Sequence, residues 1–429
     1  MSLQSPELHF SIGTVGNAST TSSSDKATCV RHSVQGNLSN SSPWEISLEY
    51  APMAISGAGG ALLHLNLTVD WNPVQSAVRK VMSFFVDRPA PALVLTDIIL
   101  ERFENQPLGW LPIDAAQASQ ESYPAFYKGY FAAVEFPYAS TGVSTNDTFA
   151  VSYQPGHRFR TSDATVPRRS HPAVYGIVPA GERPLAAFDV FVGGNRVGHK
   201  GRHFNYNVWW TLAGVGGYSS SVVMSLIETM KEQLYTAFNG THYDSFILDL
   251  GWSEPNSFWE ISTPMRSALG VFRTALAEIG TNFGLWISPS SMYPPATNCS
   301  WLAEHGYEVM PNNVGCFGGP KYSAAWAAVV RGLVKDHSVR YLKLDGLNPN
   351  CPDTTHGHEP GALGNDVLIS NFIAALDGAR EESPDLYLEG TFAEPYPSPF
   401  WLWHIDSMMS SCAPATLHLM PTAPPTVTV

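Results

Sequence analysis

Tyr341-Leu342-Lys343-Leu344-Asp345-Gly346 reads as a short strand with charge at its far end. Successive side chains of an extended chain point to opposite faces, so Tyr341, Lys343 and Asp345 share one face while Leu342 and Leu344 take the other. A strand with leucines behind it and a cation and a carboxylate at its C-terminal end suits a helix-covered parallel sheet. In such sheets the working residues gather at the C-terminal strand ends.

Working outward, further short β-like runs fall at 207–211, 246–250, 283–288, 386–389 and 403–406, with 340–344 among them. Segments of helical period lie between them. Val222, Leu226, Met230, Leu234 and Phe238 fall four apart, and Met265, Leu269, Phe272, Leu276 and Ile279 follow a 4-3-4-3 spacing, so each segment buries one stripe. Strand, helix, strand in this rhythm, without a Gly-x-Gly-x-x-Gly turn, favours a (β/α) barrel over a dinucleotide-binding sheet. Six strands of this kind are legible where a closed (β/α)8 barrel has eight, so the TIM-type barrel reads as truncated.

Upstream the pattern changes. Leu63, Leu65, Leu67, Val69 and Trp71 alternate with His64, Asn66, Thr68 and Asp70, and Phe149, Val151 and Tyr153 repeat that period, which marks half-buried strands. The expectation is α/β plus β: an N-terminal β-sandwich over 1–200, an incomplete (β/α) barrel over 201–412 and an irregular tail over 413–429. The Ser/Thr/Asn-rich stretch 14–42 reads as a mobile loop. Gly193-x4-Gly198-His199-Lys200 reads as a turn at the domain junction, because a phosphate loop has its Lys directly after Gly and a Ser or Thr beyond it.

Composition narrows the partners. A chain of 429 residues with 44% hydrophobic content buries a large core, and 24 Lys plus Arg against 37 Asp plus Glu repel phosphate backbones and anionic lipid. Nucleic acid and membrane are therefore not expected partners, and no run of 18 apolar residues occurs. Twelve Trp and 17 Tyr suit the flat faces of sugar rings as well as aromatic cores. The N-terminus lacks the basic and apolar regions of a signal peptide, whereas Asn-x-Ser/Thr sequons at Asn17, Asn37, Asn40, Asn66, Asn146, Asn239 and Asn298 lean towards a secreted or lumenal protein.

The strand ends are rich in acids and Trp and hold no Ser or Cys nucleophile beside a base, so a hydrolase triad is unsupported. Two carboxylates facing one aromatic-walled cavity are what glycosidic cleavage requires. The motif at 341–346, preceded by Phe283-Gly284-Leu285-Trp286 and Asp249-Leu250-Gly251-Trp252, resembles the strand motifs of the retaining α-galactosidase clan, glycoside hydrolase families 27 and 36 and their relatives. The likeness covers about residues 200–410, and a β-sandwich ahead of the barrel is similar to the family 36 arrangement.

That resemblance implies Asp345 as nucleophile and Asp406 as acid/base, 5 to 6 Å apart for a retaining pair. It implies Lys343, Asp249 and Glu389 as sugar contacts, and Trp209, Trp252 and Trp286 as the cavity wall. The expected partner is a carbohydrate substrate, with no metal and no cofactor. Two departures touch the site: the clan carries Asp-Asp-Gly-Trp where this chain has Leu250 at the second position, and Ser288 follows the third strand where family 36 often has an acid. A non-catalytic carbohydrate-binding protein on a degenerate barrel is the competing reading.

Cys351-Pro352-Asp353-Thr354-Thr355-His356-Gly357-His358-Glu359 offers metal-ligand types, but its spacing matches no established zinc pattern, and it reads as a polar substrate loop behind Asp345. In an exported protein Cys299 and Cys316 would bridge, closing a loop of about 18 residues. His404 reads as a packed core residue.

Overall fold

The computed structural model describes residues 9–14, 17–23, 28–36, 42–55, 59–103, 124–127, 129–143, 149–160, 164–198, 201–212, 218–294, 296–392 and 398–409. The expected tail at 413–429 and Cys412 lie outside them, as do His199 and Lys200.

Two antiparallel sheets form the N-terminal part. One runs Ser140–Val143, Phe149–Tyr153, Leu93–Phe103, His9–Thr14, Asn17–Ser23; the other runs Cys29–Gly36, Trp44–Tyr50, Leu62–Asn72, Ala77–Val86, Ala173–Ile177, Tyr130–Val134, Ala125–Tyr127. The alternation around Leu65 is realised: Leu63, Leu65, Leu67 and Trp71 are buried, and Met82, Phe84 and Val86 of the adjoining strand are buried with them. Leu93, Leu95, Ile98, Val151 and Tyr153 of the first sheet join the same apolar cluster, so both sheets share one core.

Two expectations fail here. The stretch 14–42 contains the strands Asn17–Ser23 and Cys29–Gly36. The second pairs with Trp44–Tyr50 at the end of its sheet and is exposed along its whole length, so no buried face wrote an apolar period into its sequence. Nor is the segment up to 200 all β, because Pro184–Asn195 is a helix that opens on proline and buries Phe188, Phe191 and Val192.

Beyond it lies a curled parallel sheet, an open portion of a barrel, in strict chain order: β1 (Asn205–Asn207), β2 (Ser245–Leu248), β3 (Asn282–Ile287), β4 (Tyr341–Leu344), β5 (Tyr387–Gly390) and β6 (Ser407–Met408). All five neighbouring pairs are parallel. Parallel neighbours need crossovers, and the helices Ser220–Met230, Ala268–Ala277, Pro320–Asp336 and Asn365–Glu382 supply four of them. Among the described residues no helix is long and apolar enough to cross a membrane.

The stripe Met265, Leu269, Phe272, Leu276, Ile279 is buried throughout. The other stripe is displaced by one residue in its first two turns: Val223 and Ile227 face the core together with Met230, which holds its expected place, while Val222 and Phe238 are exposed. Val and Ile at neighbouring positions made two registers equally apolar, and packing against the sheet selects one. The run 403–406 is not a strand either. Pro399–Trp403 is a 3-10 turn capped by Ser398, and β6 starts only at Ser407. His404 stands at the end of that turn, partly exposed and 3.6 Å from Asp377, and is not a core residue.

That shift moves Asp406 to the entrance of β6. Its buried carboxylate accepts the Leu388 N–H at 2.8 Å and pairs with Arg380 of the helix Asn365–Glu382 at 2.9 Å. Arg380 also donates to the carbonyls of Leu386 and His404, so one guanidinium ties helix, β5 and β6 together. Replacing one member of a buried pair strands the other charge, at a cost of about 3–5 kcal/mol. Asp406→Ala is therefore expected to lower the unfolding free energy measured in urea by that amount, through a lower midpoint at an unchanged slope; an unaltered midpoint would show that the pair does not brace the sheet.

Candidate active site

Register decides which side chains meet. The pairings Trp286↔Lys343 and Lys343↔Glu389 put these three at one level across β3, β4 and β5, and extending Leu248↔Leu285 by one residue brings Asp249 to the same level. One level below, Ile247, Tyr341 and Tyr387 close the floor as a small apolar cluster, the two rings stacked 5.1 Å apart. The inward faces thus carry a tyrosine floor, then a ring of two acids, one cation and one indole, then Asp345 at the mouth.

Within the ring, Lys343 Nζ lies 3.1 Å from Asp249 Oδ2, and both side chains are largely buried. The other Asp249 oxygen accepts the Leu250 N–H at 2.9 Å, and Tyr218 donates to the Asp249 carbonyl at 2.6 Å. Glu389 is buried, and burial pushes its carboxyl above the usual range, opposed by the Tyr341 hydroxyl and by the charge of Lys343. The Tyr341 hydroxyl, buried beside Glu389, is pushed up strongly in turn, and it accepts Asn205 Nδ2 at 3.0 Å.

Asp345 is half-buried, and each of its oxygens has a neutral donor: Trp286 Nε1 on Oδ2 and the Tyr293 hydroxyl on Oδ1, both at 3.1 Å. Tyr293 arrives on the loop after β3, which folds over the end of β4. Ser290 N–H and Ser288 Oγ both donate to the Gly346 carbonyl, and Ser290 Oγ accepts the Asn348 N–H. This loop was the feature the sequence reading missed. Its only signal is position, since it follows a barrel strand at the C-terminal end, and Tyr293 belongs to no motif.

The remaining expected residues fall elsewhere. Trp286 is buried and backs Asp345, as a wall residue does. Trp252 is fully buried behind it, donating Nε1 to the Trp286 carbonyl at 2.7 Å and packing on Trp259, so it buttresses the wall and does not form it. Trp209 is 41% exposed, because the chain leaves β1 at Asn207, four residues earlier than expected, and it opens the short helix Trp209–Leu212 with its N–H on Asn207 Oδ1. Asp406, held by Arg380 and the Leu388 N–H at the opposite end of its strand, is not brought together with Asp345. Leu250 turns to the apolar core. Cys299 and Cys316 are both free, and the Cys299 thiol donates to the Ser291 carbonyl at 3.5 Å, so the expected bridge is absent.

The arrangement offers one partly exposed carboxylate, oriented by two donors, beside a buried cation and two buried acids. A carboxylate so placed has the geometry to attack an electrophilic carbon, and the ring below it offers donors and acceptors that hydroxyl groups can use.

No family model matches the sequence, and no curated protein matches it. Solved structures do share the fold. The α-galactosidase from Lactobacillus brevis matches with a TM-score of 0.62 at 12% identity, over 94% of this chain and 62% of that one. The GH36 α-galactosidase AgaA from Geobacillus stearothermophilus, in complex with stachyose, matches at 0.61 and 11% identity over 94% and 64%. The galactosidase domain of the α-galactosidase-sucrose kinase AgaSK matches at 0.58 and 13% identity over 94% and 63%. This chain thus spans less than two thirds of the length of these relatives, and what it shares with them is the α-galactosidase-like fold.

Proposed function

We propose that the chain acts on terminal α-linked sugars as a retaining glycoside hydrolase of the α-galactosidase type, with its N-terminal sheets forming a β-sandwich domain ahead of the barrel. The observation that carries this reading is the Asp345 carboxylate at the end of β4, held by Trp286 and Tyr293 above the Lys343–Asp249 pair. In the proposed mechanism Asp345 attacks the anomeric carbon, the glycosidic bond breaks, and a glycosyl ester forms that water later hydrolyses. Trp286 and Tyr293 orient the attacking oxygen, while Lys343, Asp249 and Glu389 bind ring hydroxyls. The leaving oxygen takes its proton from solvent water, because the Asp406 carboxylate is engaged with Arg380.

AgaA has been crystallised with stachyose and with raffinose, which supports a carbohydrate as the ligand class here. An apolar Leu250 where the clan carries an acid argues against a two-acid grip on galactose, since a site lacking one polar partner discriminates against the hydroxyl it leaves unpaired.

A second reading is favoured by the same Asp406 contact. With that carboxylate committed to the sheet, the barrel becomes a sugar-binding module without turnover.

Two measurements separate the readings. Asp345→Asn keeps shape and hydrogen bonding but forms no stable ester, so hydrolysis of aryl α-glycosides is expected to fall on the order of 10³-fold or more while calorimetric binding of the free sugar stays within a few-fold. A parent protein that binds sugar yet hydrolyses no aryl α-glycoside would replace the enzyme by the binding module. Lys343→Met removes a charged hydrogen bond, expected to weaken sugar binding roughly 10- to 100-fold, and it also leaves Asp249 as an unpaired buried charge. Its unfolding midpoint must therefore be measured alongside; binding equal to the parent would remove Lys343 from the sugar site.

A further inference from the structure

The loop after β4 meets a distant segment in a cluster that the catalytic proposal does not use. Cys351, His356 and His358 lie on that loop, and Cys316 stands between the short strand Val314–Gly315 and the helix Pro320–Asp336. All four are buried, and one ligand atom from each lies within 4.8 Å of every other. Cys316 Sγ is 3.1 Å from His358 Nε2, and Cys351 Sγ is 3.3 Å from His356 Nδ1.

We infer that Cys316, Cys351, His356 and His358 bind one structural zinc ion. This inference is independent of the glycosidase reading, and it runs against the expectation of no metal. That expectation came from the spacing of Cys351, His356 and His358 alone; the fourth donor comes from 35 residues upstream of Cys351, where local spacing carries no information.

The chemistry fits at three levels. Two sulfurs and two imidazole nitrogens in a closed set are the ligands of a structural zinc site, and softer or harder ions prefer other sets. With Zn–S about 2.3 Å and Zn–N about 2.0 Å, tetrahedral edges measure about 3.3–3.8 Å, so the two close pairs need to part by a few tenths of an ångström and the wider ones, none beyond 4.8 Å, need to close by about 1 Å at most. Two thiolates cancel the charge of the ion, the thiol protons passing to solvent as it enters, and the finished centre is neutral in a buried place.

The second shell is also in place. His358 Nδ1 donates to the Glu359 carbonyl at 2.6 Å, which leaves Nε2 as the lone-pair nitrogen facing Cys316. His356 uses Nδ1 towards Cys351 while its Nε2 faces the Asp353 carboxylate at 3.6 Å. Glycine is needed around His358: a Cβ at Gly318 would come within 2.4 Å of its ring, and one at Gly364 within 2.5 Å.

Such an ion would clamp the loop that leaves Asp345 onto the start of the helix Pro320–Asp336. The clamp continues outward, because Glu359, next to His358, holds Arg158 of the N-terminal part through two bonds of 2.6 and 2.7 Å.

The test uses the full tag-free chain, purified under reducing conditions from zinc-supplemented medium. Elemental analysis is expected to give about one zinc per chain, lost in Cys316→Ser and Cys351→Ser and kept in Cys299→Ser, which removes a buried cysteine outside the cluster. Independently of whether the variants fold, the reduced, chelator-stripped parent is titrated with Co²⁺. One equivalent is expected to bring in the sulfur-to-cobalt charge-transfer bands and the ligand-field bands of a tetrahedral thiolate site, and zinc to erase them. A parent without metal that gives no cobalt spectrum overturns the inference, as does cobalt bound without thiolate bands or a Cys316–Cys351 disulfide in the freshly isolated chain.

Discussion

The backbone register of the parallel sheet is the constraint on which the site depends. Side chains alternate along a strand with period two, so a slip of one residue between β3 and β4 would turn Lys343 outward and bring Leu342 or Leu344 into the ring. The register is fixed from outside the site. Leu285, Ile287, Leu342, Leu344 and Leu388 are fully buried on the other face of the sheet, under helices whose apolar stripes admit one fit. Core packing on one face therefore positions the polar chemistry on the other.

The same logic explains the layout around Asp345. A lone carboxylate at a strand end samples several rotamers, whereas here Trp286 and Tyr293 each hold one oxygen. The Trp286 ring is itself fixed, since Trp252 donates to its carbonyl and Trp259 packs against it. Of the three tryptophans expected to wall the cavity, only Trp286 reaches the acid; Trp252 stands behind it beside Trp259, and Trp209 lies exposed on its own short helix. Because both donors are neutral, they orient the Asp345 carboxylate without pairing its charge, while the one buried cation of the ring contacts Asp249.

How much of this was legible follows from where each signal lives. Strands buried on both faces write short apolar runs into the sequence, and four of the six barrel strands were located to within about two residues; their polar ends, Asp249, Lys343, Asp345 and Glu389, follow by counting along them. The first and last strands were displaced because Trp-rich segments imitate β-runs, although Trp209 opens a helix and Pro399–Trp403 forms a 3-10 turn. That displacement carried Asp406 from the supposed mouth to the sheet entrance. Strand Cys29–Gly36, exposed throughout, had no buried face to announce it. Tyr293, Tyr218 and Cys316 were invisible for another reason: each meets its partner from far along the chain, and only the assembled fold gives their contacts.

Asp345 begins a loop of some 20 residues before the next helix, and a loop of that length is a poor platform for chemistry unless something stiffens it. Its far end is fastened by contacts reaching across to the N-terminal sheets. Arg158 grips Glu359, His171 meets Asp366 at 2.6 Å, and Gly156 lies so close to the Leu363 carbonyl that a Cβ would come within 1.7 Å of it. Charge-assisted pairs of this kind, partly shielded from water, resist opening better than exposed ones. The N-terminal sheets thus brace the barrel mouth. A barrel separated from them would keep Lys343 and Asp249 in register on their strands but lose the restraint on the segment that follows Asp345, which gives a physical reason for the two parts to share one chain.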